Sequence, residues 1–130
     1  MTDYYDVQLK RRRHQRLLQK PGFAATEGML EDDALLRQTI TDFRPDAIVH
    51  LAAQAGVRYS LEHPRAYVDT NVVGTFNILE IAKALEVGHL LMASTSSVYG
   101  ANEDMPFSER EKADTQLTIY SATQLAQHLR

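Results

Sequence analysis

Hydrophobic and polar positions fall into blocks along this chain, and each block ends at a turn signal. Tyr5 to Gln19 is rich in helix-forming residues, and Phe23-Ala24-Ala25-Thr26-Glu27 reads as a short candidate strand. Glu31 to Phe43 sets Leu35, Leu36, Ile40 and Phe43 at helical spacing, with Glu31, Asp32 and Asp33 in the first turn, where acids complement the helix dipole. Pro45-Asp46 breaks this helix. Ala47 to Ala53 is then apolar throughout and bounded by turn signals, the pattern of a parallel strand buried on both faces. A loop runs to Pro64, followed by a long helix to Leu85 in which Val68, Val72, Phe76, Leu79 and Ala82 form an apolar stripe and Gly88 supplies the stop. His89 to Ser94 is the next buried strand, Tyr99 to Thr115 is a polar loop containing Pro106, and Leu117 to Arg130 is a last helix. Alternating strands and helices predict an α/β fold with a parallel sheet and crossover helices.

Composition narrows the chemistry. The chain has 130 residues, 44% of them hydrophobic and 24% charged, as expected of one globular domain. It has no cysteine, which removes disulfides, thiolate metal sites and a cysteine nucleophile, and which fits a reducing compartment. No apolar run approaches the roughly 18 residues needed to span a bilayer, and the first residues lack the apolar core of a signal peptide, so the expected location is the cytoplasm. The net charge of −3 is unevenly spread. Lys10-Arg11-Arg12-Arg13, Arg16 and Lys20 make the first twenty residues net +4, whereas the remainder is net −7. Such a run suits either phosphate contacts or a solvated helix face. With no aromatic residue interleaved and an acidic remainder, the second reading is preferred, and neither a nucleic-acid nor a membrane partner is expected. The histidines at 14, 50, 63, 89 and 128 show no metal-ligand spacing on a shared element, and His50 is expected to be a hydrogen-bonded core residue. Glu103, Asp104, Glu109 and Glu111 sit in a loop and read as solvated.

In open α/β sheets, ligands bind beyond the carboxyl ends of the strands. Three segments occupy such positions. Leu51-Ala52-Ala53-Gln54-Ala55-Gly56-Val57-Arg58 offers small residues that let backbone approach a flat ligand, and a guanidinium suited to an anionic substrate group. Ser94-Thr95-Ser96-Ser97 places four hydroxyls at a strand end, and Tyr120 lies just inside the last helix. Hydroxyls that hold an alcohol beside a phenol that exchanges its proton form an acid–base pair. Each segment also has a structural explanation, in helix–sheet packing, turn formation and helix anchoring respectively.

Taken together, several strings resemble the extended short-chain dehydrogenase/reductase family. Within it they are most similar to the NAD-dependent sugar-nucleotide 4-epimerases, in particular the UDP-glucuronate 4-epimerases. The strings are Asp3-Tyr4-Tyr5-Asp6-Val7, Arg44-Pro45-Asp46, His50 through Ser60, Tyr67-Val68-Asp69-Thr70-Asn71 with Gly74-Thr75, Ala93 through Gly100, and Met105-Pro106-Phe107-Ser108-Glu109. The resemblance implies an incomplete Rossmann-like, doubly wound parallel sheet with flanking helices. Residues 1–130 would form a partial NAD-binding domain lacking the first two strands and the C-terminal substrate region. It implies that Leu51, Ala52, Ala53, Ala55, Ala93, Ser94 and Tyr120 lie along NAD, with Asn71 reaching toward its ribose and steadying the helix. Thr95 would hydrogen-bond the sugar 4-OH, Ser96 and Ser97 would touch the nucleotide sugar, and Tyr120 would be the acid/base. Arg58 beside a uronate or diphosphate is inferred from charge alone.

The chain departs from the family pattern in three places. The glycine-rich turn after the first strand is absent from the sequence. The position of an adenine-contacting Asp holds Met29, followed by Leu30. Where the family has Tyr-x-x-x-Lys, the sequence reads Tyr120-Ser121-Ala122-Thr123-Gln124. A free phenol has a pKa of about 10 and a nearby cation lowers it, but a neutral Gln supplies no charge. The expectation is therefore a fragment of such an epimerase that is inactive by itself. The alternative is a catalytically dead remnant that binds a partner or dimerises through the 64–85 and 117–130 helices. A related dehydratase is disfavoured because Ser96-Ser97 stands where the family's dehydratases carry Asp-Glu. In the strand order 3-2-1-4-5-6, loss of the first two strands leaves strand three either paired directly with strand four or detached, with an open edge at the sheet centre.

Overall fold

A computed structural model describes residues 2–128, so Leu129 and Arg130 of the last expected helix lie outside the described residues. Helix α1 (Val7–Leu18) starts at Asp6, whose carboxylate accepts the N–H groups of Gln8 at 2.8 Å and Leu9 at 3.2 Å. It buries none of its residues. Arg11, Arg12, Arg13, Arg16 and Lys20 are all exposed, as a solvated basic face requires.

The candidate strand at Phe23–Glu27 does not form. Residues 23–29 are irregular and exposed, and the sheet of the described residues contains no strand from this region. A strand needs a neighbour to take its backbone hydrogen bonds, and here none is in place. Helix α2 (Asp33–Phe43) begins two residues later than the acid run suggested, because Asp32 is the cap and accepts Leu35 N–H at 3.0 Å.

Strands β1 (Ala47–His50) and β2 (His89–Met92) pair in parallel, with Ala47 opposite His89 and His50 opposite Met92. Both are shorter than their apolar runs. The ladder ends with Ala93 N–H donating to His50 C=O at 3.0 Å. The sheet has two strands among the described residues, so β1 keeps an open edge.

Between the strands, the expected loop contains a short helix, α3 (Val57–Glu62). The long helix follows in three joined parts: α4 (Pro64–Tyr67) with Pro64 at its first turn, a π-helical segment (Val68–Gly74), and α5 (Thr75–Ala84). Its expected apolar stripe is buried only at its end. Val68, Val72 and Phe76 are exposed, Leu79 is half-buried and Ala82 buried, whereas the buried face is carried by Tyr67, Asn71, Gly74, Thr75, Ile78 and Ile81. The π segment adds about one residue per turn, so the four-residue step from Tyr67 to Asn71 to Thr75 stays on the inner side until α5 takes over with Ile78 and Ile81. The stop also differs from expectation. Glu86, at φ 51°, is the left-handed residue, with Glu86 N–H on Lys83 C=O at 3.2 Å and Val87 N–H on Ala82 C=O at 2.9 Å. Gly88 instead enters β2 beside the Asp46 carbonyl.

Beyond β2 come a 3-10 turn (Ser96–Tyr99), the long polar loop with a cis Met105–Pro106 bond, and α6 (Ile119–Ala126). Thr118 caps α6 through a reciprocal pair with Ser121. The buried centre joins apolar Tyr67, Ile78, Ile81, Ala82 and Val98 to a polar set that includes Asn71, Thr75, Thr123, Gln124 and Gln127.

Candidate active site

The site forms where β1 and β2 end against α6. Asn71, on the π segment, is fully buried, and its side chain is committed to the protein. Oδ1 accepts Gln54 N–H at 2.7 Å, and Nδ2 donates to Gln54 C=O at 3.0 Å and to Thr123 Oγ1 at 3.1 Å. Gln127 Nε2 donates to the Asn71 carbonyl at 3.3 Å. One residue thus joins the strand-end loop to α6.

A second anchor is aromatic. The Tyr67 phenol donates to the carbonyls of Ala55 at 2.8 Å and Gly56 at 2.5 Å, and the Tyr4 phenol donates to the same Ala55 carbonyl at 2.7 Å. Burial pushes the Tyr67 phenol above its ordinary pKa, which keeps it a neutral donor. Gly56 has φ 101°, and a Cβ there would collide with the Tyr4 hydroxyl, so glycine is needed both for the turn and for the approach. Tyr67 meets Tyr120 edge-on at 6.0 Å between ring centroids.

Tyr120, Gln124 and Gln127 line one small cavity of about 180 Å³ with His50, Leu51, Ala52, Ala53, Ala55, Ala93 and Ser94. The first three recur at the spacing of one helix face. Of the residues singled out by sequence, Leu51, Ala52, Ala53, Ala55, Ala93, Ser94, Tyr120 and Gln124 are therefore gathered together. Asn71 stands behind them as an organiser. Gln124 is buried, and its side chain makes no hydrogen bond with another described residue.

Thr95 and Ser96 line a neighbouring open cavity of about 670 Å³, with Tyr99, Phe107, Glu109, Glu111 and His128 among its walls. Ser94 borders both cavities and is the link between them. Thr95 caps the 3-10 turn, where its Oγ1 accepts Ser97 N–H at 3.3 Å and donates to Ser97 Oγ at 3.4 Å. Ser97 itself borders neither cavity. Tyr99 and Phe107 stack at 4.6 Å to form one wall. Gly100, at φ 58°, lets the chain pass against the Thr115 carbonyl, where a side chain would clash. Arg58 is exposed on α3, borders neither cavity and has no ion pair among the described residues.

Sequence reasoning does not single out Tyr4, Gln54, Tyr67, Gln127 or His128 for the site. Tyr4, Gln54 and Tyr67 fall inside the strings that carry the family resemblance, which marks their segments without their roles. His128 Nε2 lies 2.8 Å from Ser94 Oγ and follows Gln124 by one helical turn, a spacing that marks the same helix face. Among the described residues, no group of three His, Asp or Glu is arranged to hold a metal.

His50 is the expected core histidine. It is buried, its Nε2 lies 3.1 Å from Thr75 Oγ1, and burial lowers its pKa from the ordinary 6.5. The folded imidazole takes a proton less readily than the unfolded one, so acid draws the chain toward the unfolded state. This contribution is fully present above about 6.5 and fades as pH falls from there to the lower folded value. A His50→Gln variant keeps a side-chain amide for Thr75 but does not titrate. Its urea midpoint is expected to fall less than that of the parent between pH 7 and pH 5; parallel losses would show that His50 has no part in the acid sensitivity.

Parallel strands, a strand-end loop of small residues and a helical tyrosine facing it define a Rossmann-like short-chain dehydrogenase/reductase scaffold. The chain belongs to the GDP-mannose 4,6 dehydratase family, whose model matches residues 2–129. It is 56% identical over 129 residues to a probable UDP-glucuronate 4-epimerase of Rhizobium meliloti, covering 99% of this chain and 38% of that protein. It is 44% identical over 126 residues to UDP-glucuronate 4-epimerase 3 of Arabidopsis thaliana, covering 96% and 29% of the two chains. Among solved structures, UDP-glucose 4-epimerase from Bifidobacterium longum in complex with NAD+ and UDP superposes with a TM-score of 0.79 at 25% identity, over 89% of this chain and 34% of that one. The UDP-Glc/GlcNAc 4-epimerase of Campylobacter jejuni gives a TM-score of 0.83 at 26% identity, over 90% and 35%. The chain therefore spans less than two fifths of the length of these relatives.

Proposed function

We propose that this chain carries the strand-end and acid–base part of an NAD-dependent sugar-nucleotide 4-epimerase of the UDP-glucuronate type, and that the 130-residue chain does not turn over by itself. The observation that carries this reading is the shared cavity of Tyr120, Gln124, Ser94 and the loop from Leu51 to Ala55.

The residues fit the nicotinamide end of NAD. Ala52, Ala53, Ala55 and Ala93 leave backbone at the cavity surface, and about 180 Å³ suits one ring rather than a dinucleotide. Residues for the pyrophosphate are missing, since no glycine-rich turn follows a strand. Bound between Leu51, Ala52, Ala53, Ala55, Ala93 and Ser94, NAD would supply the hydride acceptor and donor for the sugar C4. The chain's own groups do the rest. Thr95 hydrogen-bonds the 4-OH, Tyr120 removes its proton as the phenolate and restores it as the phenol, and Ser96 contacts the sugar from the Thr95 cavity, with Ser97 next to it and bonded to Thr95 Oγ1. Ser96-Ser97 in place of two acids favours epimerisation over dehydration. Arg58, exposed and free of an ion pair among the described residues, is assigned to an anionic group of the substrate.

The test grafts this chain in place of the matched region of the Rhizobium meliloti relative. The chimera is expected to bind NAD and to epimerise UDP-glucuronate when it carries Gln124→Lys, and to lose this activity on Tyr120→Phe. A folded, NAD-binding chimera that carries Gln124→Lys and leaves UDP-glucuronate unchanged would overturn the assignment.

A specific observation also favours pairing of two copies through the 64–85 helix and α6, which lies in the segment expected to be the last helix. Val68, Val72 and Phe76 are exposed, and Val72, Phe76, Leu79 and Ala126 line a mainly apolar groove of about 500 Å³ along the π segment and α5, edged by Glu80 and Lys83 and reached by the end of α6. Phe76, 60% exposed, is the test residue. By light scattering, Phe76→Glu is expected to convert a dimer to a monomer, and a parent already monomeric at 0.1 mM, taken as roughly the upper end for a useful interface, would refute the pairing.

A further inference from the structure

The cavity that holds Thr95 and Ser96 carries the wrong charge for an anionic sugar. Its titratable lining residues are Tyr99, Glu109, Glu111 and His128. Two carboxylate side chains repel a uronate. Arg110 and Lys112, beside these acids in sequence, do not border the cavity, and neither does Arg58. Among the described residues that line it, His128 alone can carry positive charge.

His128 sits in the turn that closes α6, where its N–H donates to Leu125 C=O at 2.9 Å, and it is exposed. Its Nε2 lies 2.8 Å from Ser94 Oγ, and Ser94 is the residue shared by this cavity and that of Tyr120. The groups around the contact are otherwise neutral. Gln124, Leu125 and Gln127 precede His128 on the helical side, and Thr95 and Ser96 follow Ser94 on the strand side. Of the two acids, Glu111 is tethered by Asn102, whose Nδ2 donates to its Oε2 at 2.6 Å.

Protonation changes what the contact offers. A neutral imidazole nitrogen either accepts from a hydroxyl or donates to it, whereas both nitrogens of an imidazolium donate. Once His128 is protonated, Ser94 Oγ accepts its N–H, and the Ser94 O–H is released to donate to a ligand. The same proton offsets one of the two carboxylate charges in the cavity. Both changes favour an anionic group over a neutral one.

We infer that the His128–Ser94 pair is a specificity determinant, which selects a nucleotide sugar bearing a carboxylate over one bearing a neutral hydroxymethyl group and does so more strongly in acid. Histidine changes charge between about pH 5 and 8, a range over which the carboxylate and diphosphate of the ligand keep theirs. This role rests on the epimerase reading of the site and adds to it a positioning residue that acts through Ser94.

The test uses the chimera with the Rhizobium meliloti relative, carrying Gln124→Lys and silenced by Tyr120→Phe so that binding is read without turnover. Calorimetric affinities for UDP-glucuronate and UDP-glucose, with NAD present, are compared at about pH 8 and about pH 6. The preference for UDP-glucuronate is expected to rise about fivefold on acidification, the upper end for one exposed ion pair. His128→Gln keeps an amide for Ser94 but cannot be charged, and its preference should stay level at the lower value. His128→Lys is a cation at both pH values, and its preference should stay level at the higher one. A merely structural role would move both ligands alike. A preference indifferent to pH in the chimera with His128 intact, or one that rises equally in His128→Gln, would overturn the inference, and the first reading needs no variant to fold. A chimera that binds both sugars without the shift removes this role alone, whereas one that binds neither removes the epimerase assignment as well.

Discussion

Asn71→Ala is expected to lower the stability of the chain by about 3–5 kcal/mol, because it strips partners from several groups at once. Gln54 loses the acceptor for its N–H and the donor to its C=O, and Thr123 loses the donor to its hydroxyl. Each buried polar group left unpaired costs about 1–3 kcal/mol; Gln54 is half-buried, and water softens its share. The total remains a large part of the roughly 5–15 kcal/mol that a domain commonly has. Asn71→Asp should not rescue it, since a carboxylate accepts from Gln54 N–H but faces the Gln54 carbonyl without a proton to give. Urea unfolding checks both variants. A loss below about 1 kcal/mol, the worth of one ordinary hydrogen bond, would mean that the strand-end loop is held elsewhere, with the Tyr4 and Tyr67 phenols the next residues to test.

Gln124→Lys is expected to act in opposite directions in two contexts. In the 130-residue chain residue 124 is only 4% exposed and its cavity is lined by neutral groups, with no acid among them. An ammonium placed there is desolvated without a counter-charge, and a loss of about 2–4 kcal/mol is expected. No turnover should appear, because the phosphate-binding turn is still absent from the sequence. In the chimera with the Rhizobium meliloti relative, the same change should raise turnover about 10- to 1,000-fold, since a cation lowers a neighbouring phenol's pKa by roughly 1–3 units. The pH profile separates this from a structural rescue. Phenol activation moves the rising limb to lower pH, whereas better folding multiplies the rate equally at every pH. Equal turnover with Gln and Lys would show that a charge at position 124 does not activate the Tyr120 phenol, whose acid–base role is read by Tyr120→Phe.

Both variants probe features that differ in how far the sequence reveals them. β1, β2, α2 and α6 are legible because apolar runs and helical spacing mark where elements form, but not how deeply they lie: β1 and β2, expected to be buried on both faces, are exposed on one, and α2 buries none of its residues. The irregular chain at Phe23–Glu27 is not, since local alternation carries no information about whether a neighbour exists to pair with it. The stripe from Val68 to Phe76 misleads for a different reason. The 64–85 helix is apolar on one side and buries Tyr67, Asn71 and Thr75 on the other, where polar atoms are matched by partners distant in sequence. Periodicity ranks hydrophobicity and cannot see that matching. α3 reads as loop because it is short and lacks a side-chain cap.

The site divides in the same way. Motif spacing marks Thr95, Tyr120 and Gln124, and strand position marks the small residues of the strand-end loop. The groups that hold them in place escape such a reading, because each acts across a long separation. Tyr4 reaches Ala55 and Gln127 reaches Asn71 from more than fifty positions away. No local pattern encodes such a pair.

The Asn71 amide has one more consequence. By giving Gln54 both a donor and an acceptor, it does for one residue what a neighbouring strand does for a whole segment, and it does so from the helical layer. The strand-end loop is thereby held by the helical layer as well as by the strand it continues. Release of Asn71 would therefore free the loop from Ala52 to Gly56 from the π segment even with β1 and β2 still paired, whereas His50 keeps the pocket beside Tyr120 joined to the sheet.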